Sequence, residues 1–243
     1  MSDFIHLNSA YLNYLTPLLK WRVLDLDNLR KECFNVPEYH NFCKVIRRLE
    51  REKILEGYRN PFNRKKYVYL SAFGEGQLSI KENPTALSKE TLIHDIKVSE
   101  IAKVFLEKGW ANDVELEHQL NDKRNFKTTY KIIPDALLHG EKSGIKFKMA
   151  FELELSRKNN QRILAKANQY QESSFYNYVV YLFSKKNLMD KYIEIISESL
   201  REKSLSRFMF FVDPLMTGAG TKLEEVKGIF KGKEVTMREV FEK

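Results

Sequence analysis

The chain has 243 residues, 43% of them hydrophobic and 12% aromatic, and a net charge of +8. That is enough apolar material for one large core or two small ones, and the positive balance favours an anionic partner such as nucleic acid or an acidic membrane surface. Cys33 and Cys43 lack metal-ligand spacing, no apolar stretch is long enough to cross a bilayer, and M-S-D-F-I-H-L-N is not a leader, which predicts a cytoplasmic protein with no disulfide framework, zinc site or membrane association.

The first predicted element is a helix from Ser9 to Lys20, capped by Asn8 or Ser9, with Tyr11, Leu12, Leu15, Leu18 and Leu19 as its apolar stripe. Asp25 or Asp27 caps a short second helix through Leu29 to Phe34, and Pro37 starts a third from Glu38 to Lys53. In the third, Phe42, Val45, Ile46 and Leu49 face inward while Lys44, Arg47, Arg48 and Arg51 face out. The segment from Ile54 to Leu70 is hairpin-like, with a turn at Asn60-Pro61-Phe62-Asn63 and strong strand propensity in Tyr67-Val68-Tyr69-Leu70. Three helices followed by a basic-tipped hairpin is the order of a winged helix-turn-helix, whose third helix enters the major groove while the hairpin follows the backbone. Between Lys44 and Lys66 nine basic residues stand against three acidic ones, a local charge of +6, and Arg59, Arg64, Lys65 and Lys66 carry it onto the hairpin. Double-stranded DNA is the expected partner of that face. A solvated helix face with ion pairs, or a protein-binding winged helix, is the plainer alternative.

Polar and breaker residues from Gly74-Glu75-Gly76 to Pro84 predict a link, and a boundary near Thr85 divides the chain into domains 1–84 and 85–243. An amphipathic helix opens with Leu92-Ile93-His94-Asp95 and ends at Gly109, and a strand follows from Asn112 to Glu117. Next come a strand ending in Pro134-Asp135, a turn over His139 to Gly144, a strand ending in Glu152-Leu153-Glu154, and a helix carrying Arg162, Lys166, Gln169 and Tyr170 on one face. Strands from Tyr178 to Phe183 and Arg207 to Val212 flank a helix near Leu188 to Leu200, and the glycine-rich end, with Gly218, Gly220, Gly228 and Gly232, is read as a loop, a hairpin and a terminal helix. This is an α/β (α+β) sandwich with a mixed central sheet. Period-two alternation sets Glu152 and Glu154 on one strand face, and the hairpin brings Asp135 beside them. Three carboxylates at that range repel unless a divalent cation neutralises them or one holds a proton.

The order Pro134-Asp135 then Glu152-Leu153-Glu154, within this α/β pattern, resembles the PD-(D/E)XK nuclease superfamily and its restriction-endonuclease-like domain. Together with the winged helix, His94-Asp95, the Glu152-Leu153-Glu154-Leu155-Ser156 strand end and the helix bearing Lys166 and Tyr170, the chain resembles the plasmid replication-relaxation family, including MobC-type mobilisation proteins. The resemblance implies duplex DNA binding in plasmid replication or mobilisation, with a plasmid relaxase or other relaxosome protein as partner; a homodimer is the expected assembly. It further implies Asp135 and Glu152 as Mg²⁺ ligands, with Asp135, Glu152, Glu154 and Lys166 as the catalytic set. Glu154 stands where the superfamily has lysine, so either Lys166, or Lys148 after it, supplies that charge or hydrolysis is lost. Glu100 is a candidate for a further helix acid. An active Mg²⁺-dependent endonuclease and a transcription regulator with a protein-binding second domain are the rival readings.

His6, His40, His118 and His139 show no ligand spacing, His94 is read as structural, and Ser156 as a helix cap. The absence of G-x-x-x-x-G-K-[ST] and G-x-G-x-x-G motifs leaves nucleotide hydrolysis and dinucleotide binding without support.

Overall fold

The computed structural model describes residues 9–78, 87, 91–124, 132–142, 144–214 and 222–242. The expected boundary near Thr85, the Asn8 cap, His6, Gly218 and Gly220 lie outside them. Two compact units emerge, Met1–Glu100 and Ile101–Lys243.

In the first unit α1 (Ser9–Trp21) buries Leu15, Leu18 and Trp21 at helical spacing. A three-residue strand that the sequence did not signal, β1 (Val23–Asp25), leads into α2 (Leu26–Glu32), whose N-terminus is capped by the Asp25 carboxylate accepting the Asn28 N–H at 2.9 Å. Helix α3 (Tyr39–Arg51) buries Phe42, Ile46 and Leu49 and leaves Lys44, Arg47, Arg48 and Arg51 in water. Strands β2 (Leu55–Arg59) and β3 (Lys66–Leu70) form the expected hairpin, and β1 adds to it antiparallel in the order β1-β3-β2. Gly74-Glu75-Gly76, expected as a link, is instead the helix α4 (Ala72–Gln77), capped by the Ser71 hydroxyl. Glycine is needed at position 74 for a close approach: a Cβ there would stand 2.1 Å from the Ile54 carbonyl oxygen. The start of α5 (Leu92–Glu107) packs Leu92 and Ile96 against Val23, Tyr67 and Tyr69.

The second unit begins within α5 and continues through β4 (Asp113–Leu116), α6 (Glu117–Arg124), β5 (Ala136–Lys142), β6 (Ile145–Glu154) and α7 (Asn160–Glu172). Then come β7 (Tyr178–Phe183), α8 (Lys186–Ser199), the single turn α9 (Glu202–Leu205), β8 (Phe208–Val212), a 3₁₀ turn at Leu223–Glu225, β9 (Lys227–Phe230), β10 (Lys233–Thr236) and α10 (Met237–Phe241). Seven strands make one mixed sheet in the order β10-β9-β8-β7-β6-β5-β4, with β6-β7 and β7-β8 parallel. Ala150 of β6, Val179, Tyr181 and Phe183 of β7, and Phe208 and Phe210 of β8 pack against Ile163, Ala167 and Tyr170 of α7 and Tyr192 and Ile196 of α8. The opposite face carries Phe151 and Phe211, which meet Phe105 and Phe241.

Three expectations in the second unit are corrected. Pro134-Asp135 does not end a strand but precedes β5, consistent with a residue that lacks an N–H and cannot donate to a ladder. His139 to Lys142 belong to β5 rather than to the turn, and Gly144, at φ +78°, directly precedes β6. The strand expected to run to Glu117 stops at Leu116, where α6 begins.

Candidate functional site

Two arrangements collect the residues singled out by the sequence, one in each unit. In the second unit, Glu152 and Glu154 sit near the end of β6, opposite Tyr181 and Phe183 of β7, on the face covered by α7 and α8. Period two places both on that face, and burial is nearly complete, with Glu152 0% and Glu154 2% exposed. Helix α7 starts at an Asn159 cap, not at Ser156, which is exposed. Its buried stripe of Ile163, Ala167 and Tyr170 holds Lys166 over the sheet. Lys166 Nζ donates to Glu152 Oε2 and Tyr170 Oη to Glu152 Oε1. The hairpin brings Asp135 alongside, where its Oδ2 accepts the Leu153 N–H at 2.7 Å. Glu154 Oε1 accepts from Lys158 Nζ at 2.9 Å, a contact the sequence reading did not propose.

Electrostatics follow from that enclosure. Burial pushes the Glu152 carboxyl up to about 7 and the Asp135 charge adds to the shift, while Lys166 and Tyr170 oppose it. Burial alone would lower the Lys166 ammonium, but Glu152, then Asp135 and Glu154, outweigh it and leave Lys166 raised. The buried Tyr170 hydroxyl is raised well above its ordinary range, by burial first and then by Glu152. Tyr192 is raised by burial and then by the Glu154 charge.

The remaining candidates lie elsewhere. Arg162 and Gln169 are exposed on α7. Lys148 stands at the other end of β6, its ammonium 3.9 Å from the centroid of the Phe175 ring. Glu100 accepts from Tyr67 Oη and from Lys97 Nζ, the latter at 2.8 Å, within the first unit. His139 Nε2 lies 2.9 Å from Glu115 Oε1, and His94 Nδ1 lies 3.6 Å from Asp95 Oδ1.

As arranged, the acids do not fit a divalent cation. Both Glu152 oxygens, one from Glu154 and one from Asp135 are already engaged by donors, and among the described residues no three Asp, Glu, His or Cys groups stand together as ligands. What the cluster does as it stands is hold a buried network in which two ammonium groups, a phenol and a backbone N–H engage three carboxylates.

The first unit presents the basic face. Lys44, Arg47 and Arg51 are exposed on α3, and Arg47 reaches a groove of about 470 Å³ that Arg59, Arg64 and Lys65 of the hairpin also line. Part of the expected charge is internally paired. Arg48 bridges Glu52 at 2.7 Å, Lys66 bridges Glu50 at 2.6 Å, and Lys65 bridges the capping Asp25 at 3.1 Å. Arg59 donates to the Arg64 carbonyl at 3.2 Å. Lys44, Arg47, Arg51 and Arg64 have no carboxylate partner among the described residues. Also among those residues, no helix is long and apolar enough to cross a membrane. Compared with protein-family models, curated proteins and solved structures, the chain finds no match in any of the three.

Proposed function

We propose that the protein binds duplex DNA through its first unit, read as a winged helix-turn-helix, in plasmid replication or mobilisation of the replication-relaxation type. The observation that carries this reading is a set of cationic side chains with no carboxylate partner among the described residues: Arg47 of α3 and Arg64 of the hairpin on one groove, and Lys44 and Arg51 beside Arg47 on the outer surface of α3. An α-helix fits the major groove of B-DNA, and cations on its outer face and on the adjoining hairpin meet phosphates on either side. A relaxase partner and a homodimeric assembly, both expected from the sequence, are part of the same proposal. An anisotropy titration of the full chain on mixed-sequence duplex at several salt concentrations tests it, since phosphate contacts lower affinity steeply as salt rises.

In this reading the second unit is a PD-(D/E)XK-like scaffold whose acid cluster is closed by its own lysines. A Mg²⁺-dependent endonuclease is the second reading, favoured by the meeting of Asp135, Glu152 and Lys166 at one place. It requires Lys166 to leave Glu152 before an ion can bind. Incubation with supercoiled plasmid and Mg²⁺ or Mn²⁺ separates the two: nicking lost on Asp135→Asn supports the nuclease, and plasmid that stays supercoiled supports the scaffold.

A further inference from the structure

The hairpin tip carries a side chain that neither the fold nor the phosphate contacts use. Phe62 is 68% exposed and makes no ring contact among the described residues. Its backbone, by contrast, is fixed. Asn60, itself buried, accepts the Phe62 N–H on its side-chain oxygen at 2.9 Å, accepts the Arg64 N–H on its carbonyl at 2.9 Å, and donates its own N–H to the Lys65 carbonyl at 3.0 Å. Asn63 accepts the Lys65 N–H at 3.0 Å and donates to Tyr67 Oη at 2.9 Å, so the tip is tied to β3 as well. Pro61 restricts the preceding dihedral, and Arg64 closes the turn at φ +57°. A benzyl group is therefore held out into water on a hydrogen-bonded turn whose next cation without a carboxylate partner among the described residues is Arg64.

Resting on the DNA-binding reading above, we propose that Phe62 is an apolar wedge that enters between two stacked base pairs of the duplex and bends it. The chemistry matches. Arg64, on the same turn, suits a phosphate, and the ring needs an apolar slot beside that phosphate, which a partly unstacked base step supplies. A preorganised tip loses little freedom on insertion. An anionic bilayer would also take a basic tip with one aromatic residue. Yet the cationic surface continues from the hairpin groove through Arg47 to Lys44 and Arg51 of α3, and a grooved polyanion fits that better than a flat one.

The test uses the full chain and short mixed-sequence duplexes with 2-aminopurine at successive steps and a donor–acceptor dye pair at the ends. Wild-type protein is expected to raise 2-aminopurine emission several-fold at one step and to shorten the end-to-end distance. Phe62→Ala should abolish both while affinity falls by about tenfold or less, and Phe62→Leu should restore part of each. Binding without unstacking or bending overturns the wedge and leaves the DNA reading intact. No binding to duplex overturns both. Equal responses from wild type and Phe62→Ala, or loss in Phe62→Ala of binding to phosphatidylserine vesicles with the DNA response unchanged, also overturn it.

Discussion

Lys166 and Glu152 meet across the sheet–helix interface of the second unit, the ammonium on Oε2 of a carboxylate that has no exposure to solvent. Tyr170, one turn further along α7, takes the other oxygen. The pair is worth more by its presence than its net energy suggests, because removing one partner strands the other in low dielectric.

Loss of the cation should therefore be severe. Lys166→Met is expected to cost about 3–5 kcal/mol of folding stability, the range for breaking a buried ion pair. Tyr170→Phe, which removes one hydrogen bond to a charged group, should cost about 1.5–3 kcal/mol. Urea unfolding monitored by circular dichroism gives both values, and a Lys166→Met midpoint equal to wild type would mean that the pair is open in solution.

The pH dependence has a definite sign. Glu152 titrates near 4.5 when unfolded and at about 7 when folded, so between those values the native state holds the extra proton. Its contribution to stability is fully present at the acid end and is lost as pH rises towards about 7, by about 3 kcal/mol in all. Glu152→Gln has no such proton to lose. The difference in unfolding free energy between wild type and this variant should change across about pH 5 to about pH 8, and a constant difference would show that Glu152 titrates normally.

A divalent cation should find these acids occupied. Millimolar Mg²⁺ or Mn²⁺ is expected to leave the thermal midpoint of the wild type unchanged, since an ion that binds only the folded state would raise it. A clear rise would show Lys166 giving way to the ion and would move the balance to the nuclease reading.

In the first unit, Gly74→Ala tests the packing of α4 on the hairpin base. The added Cβ meets the Ile54 carbonyl, which is backbone and cannot step aside cheaply, so a loss of about 1–3 kcal/mol is expected. An unchanged midpoint would place α4 further from Ile54.

Why some of this was legible in sequence and some not is a matter of range. Alternation from Phe147 to Leu155 fixes a strand and the common face of Glu152 and Glu154, and the spacing of Lys166 and Tyr170 puts them on neighbouring turns of one helix. The same spacing also suggested Arg162 and Gln169, which are exposed because the stripe that packs is centred on Ile163, Ala167 and Tyr170. Helix α6 was hidden in a polar run with a single buried leucine, Leu120, and β1 in a three-residue segment whose pairing partner lies far along the chain. Charge counts could not foresee that Lys65, Lys66 and Arg48 are spent on Asp25, Glu50 and Glu52, because the first two of those partners are set by tertiary structure. The mixed sheet was foreseen as a class. Its seven strands and their order come only from the structure.

The measurement that bears most directly on the account is the salt dependence of duplex binding for wild type and for the triple variant Arg47→Ala, Arg51→Ala, Arg64→Ala. Each lost phosphate contact should reduce the slope of log affinity against log salt by about 0.9, so the triple variant should be weaker and its slope shallower by about 2.7. A control, Arg48→Ala with Lys66→Ala, should change the slope less, because both cations are already paired within the unit. Equal slopes and affinities for wild type and the triple variant, or no binding by wild type at low salt, would contradict a DNA-binding role for this face.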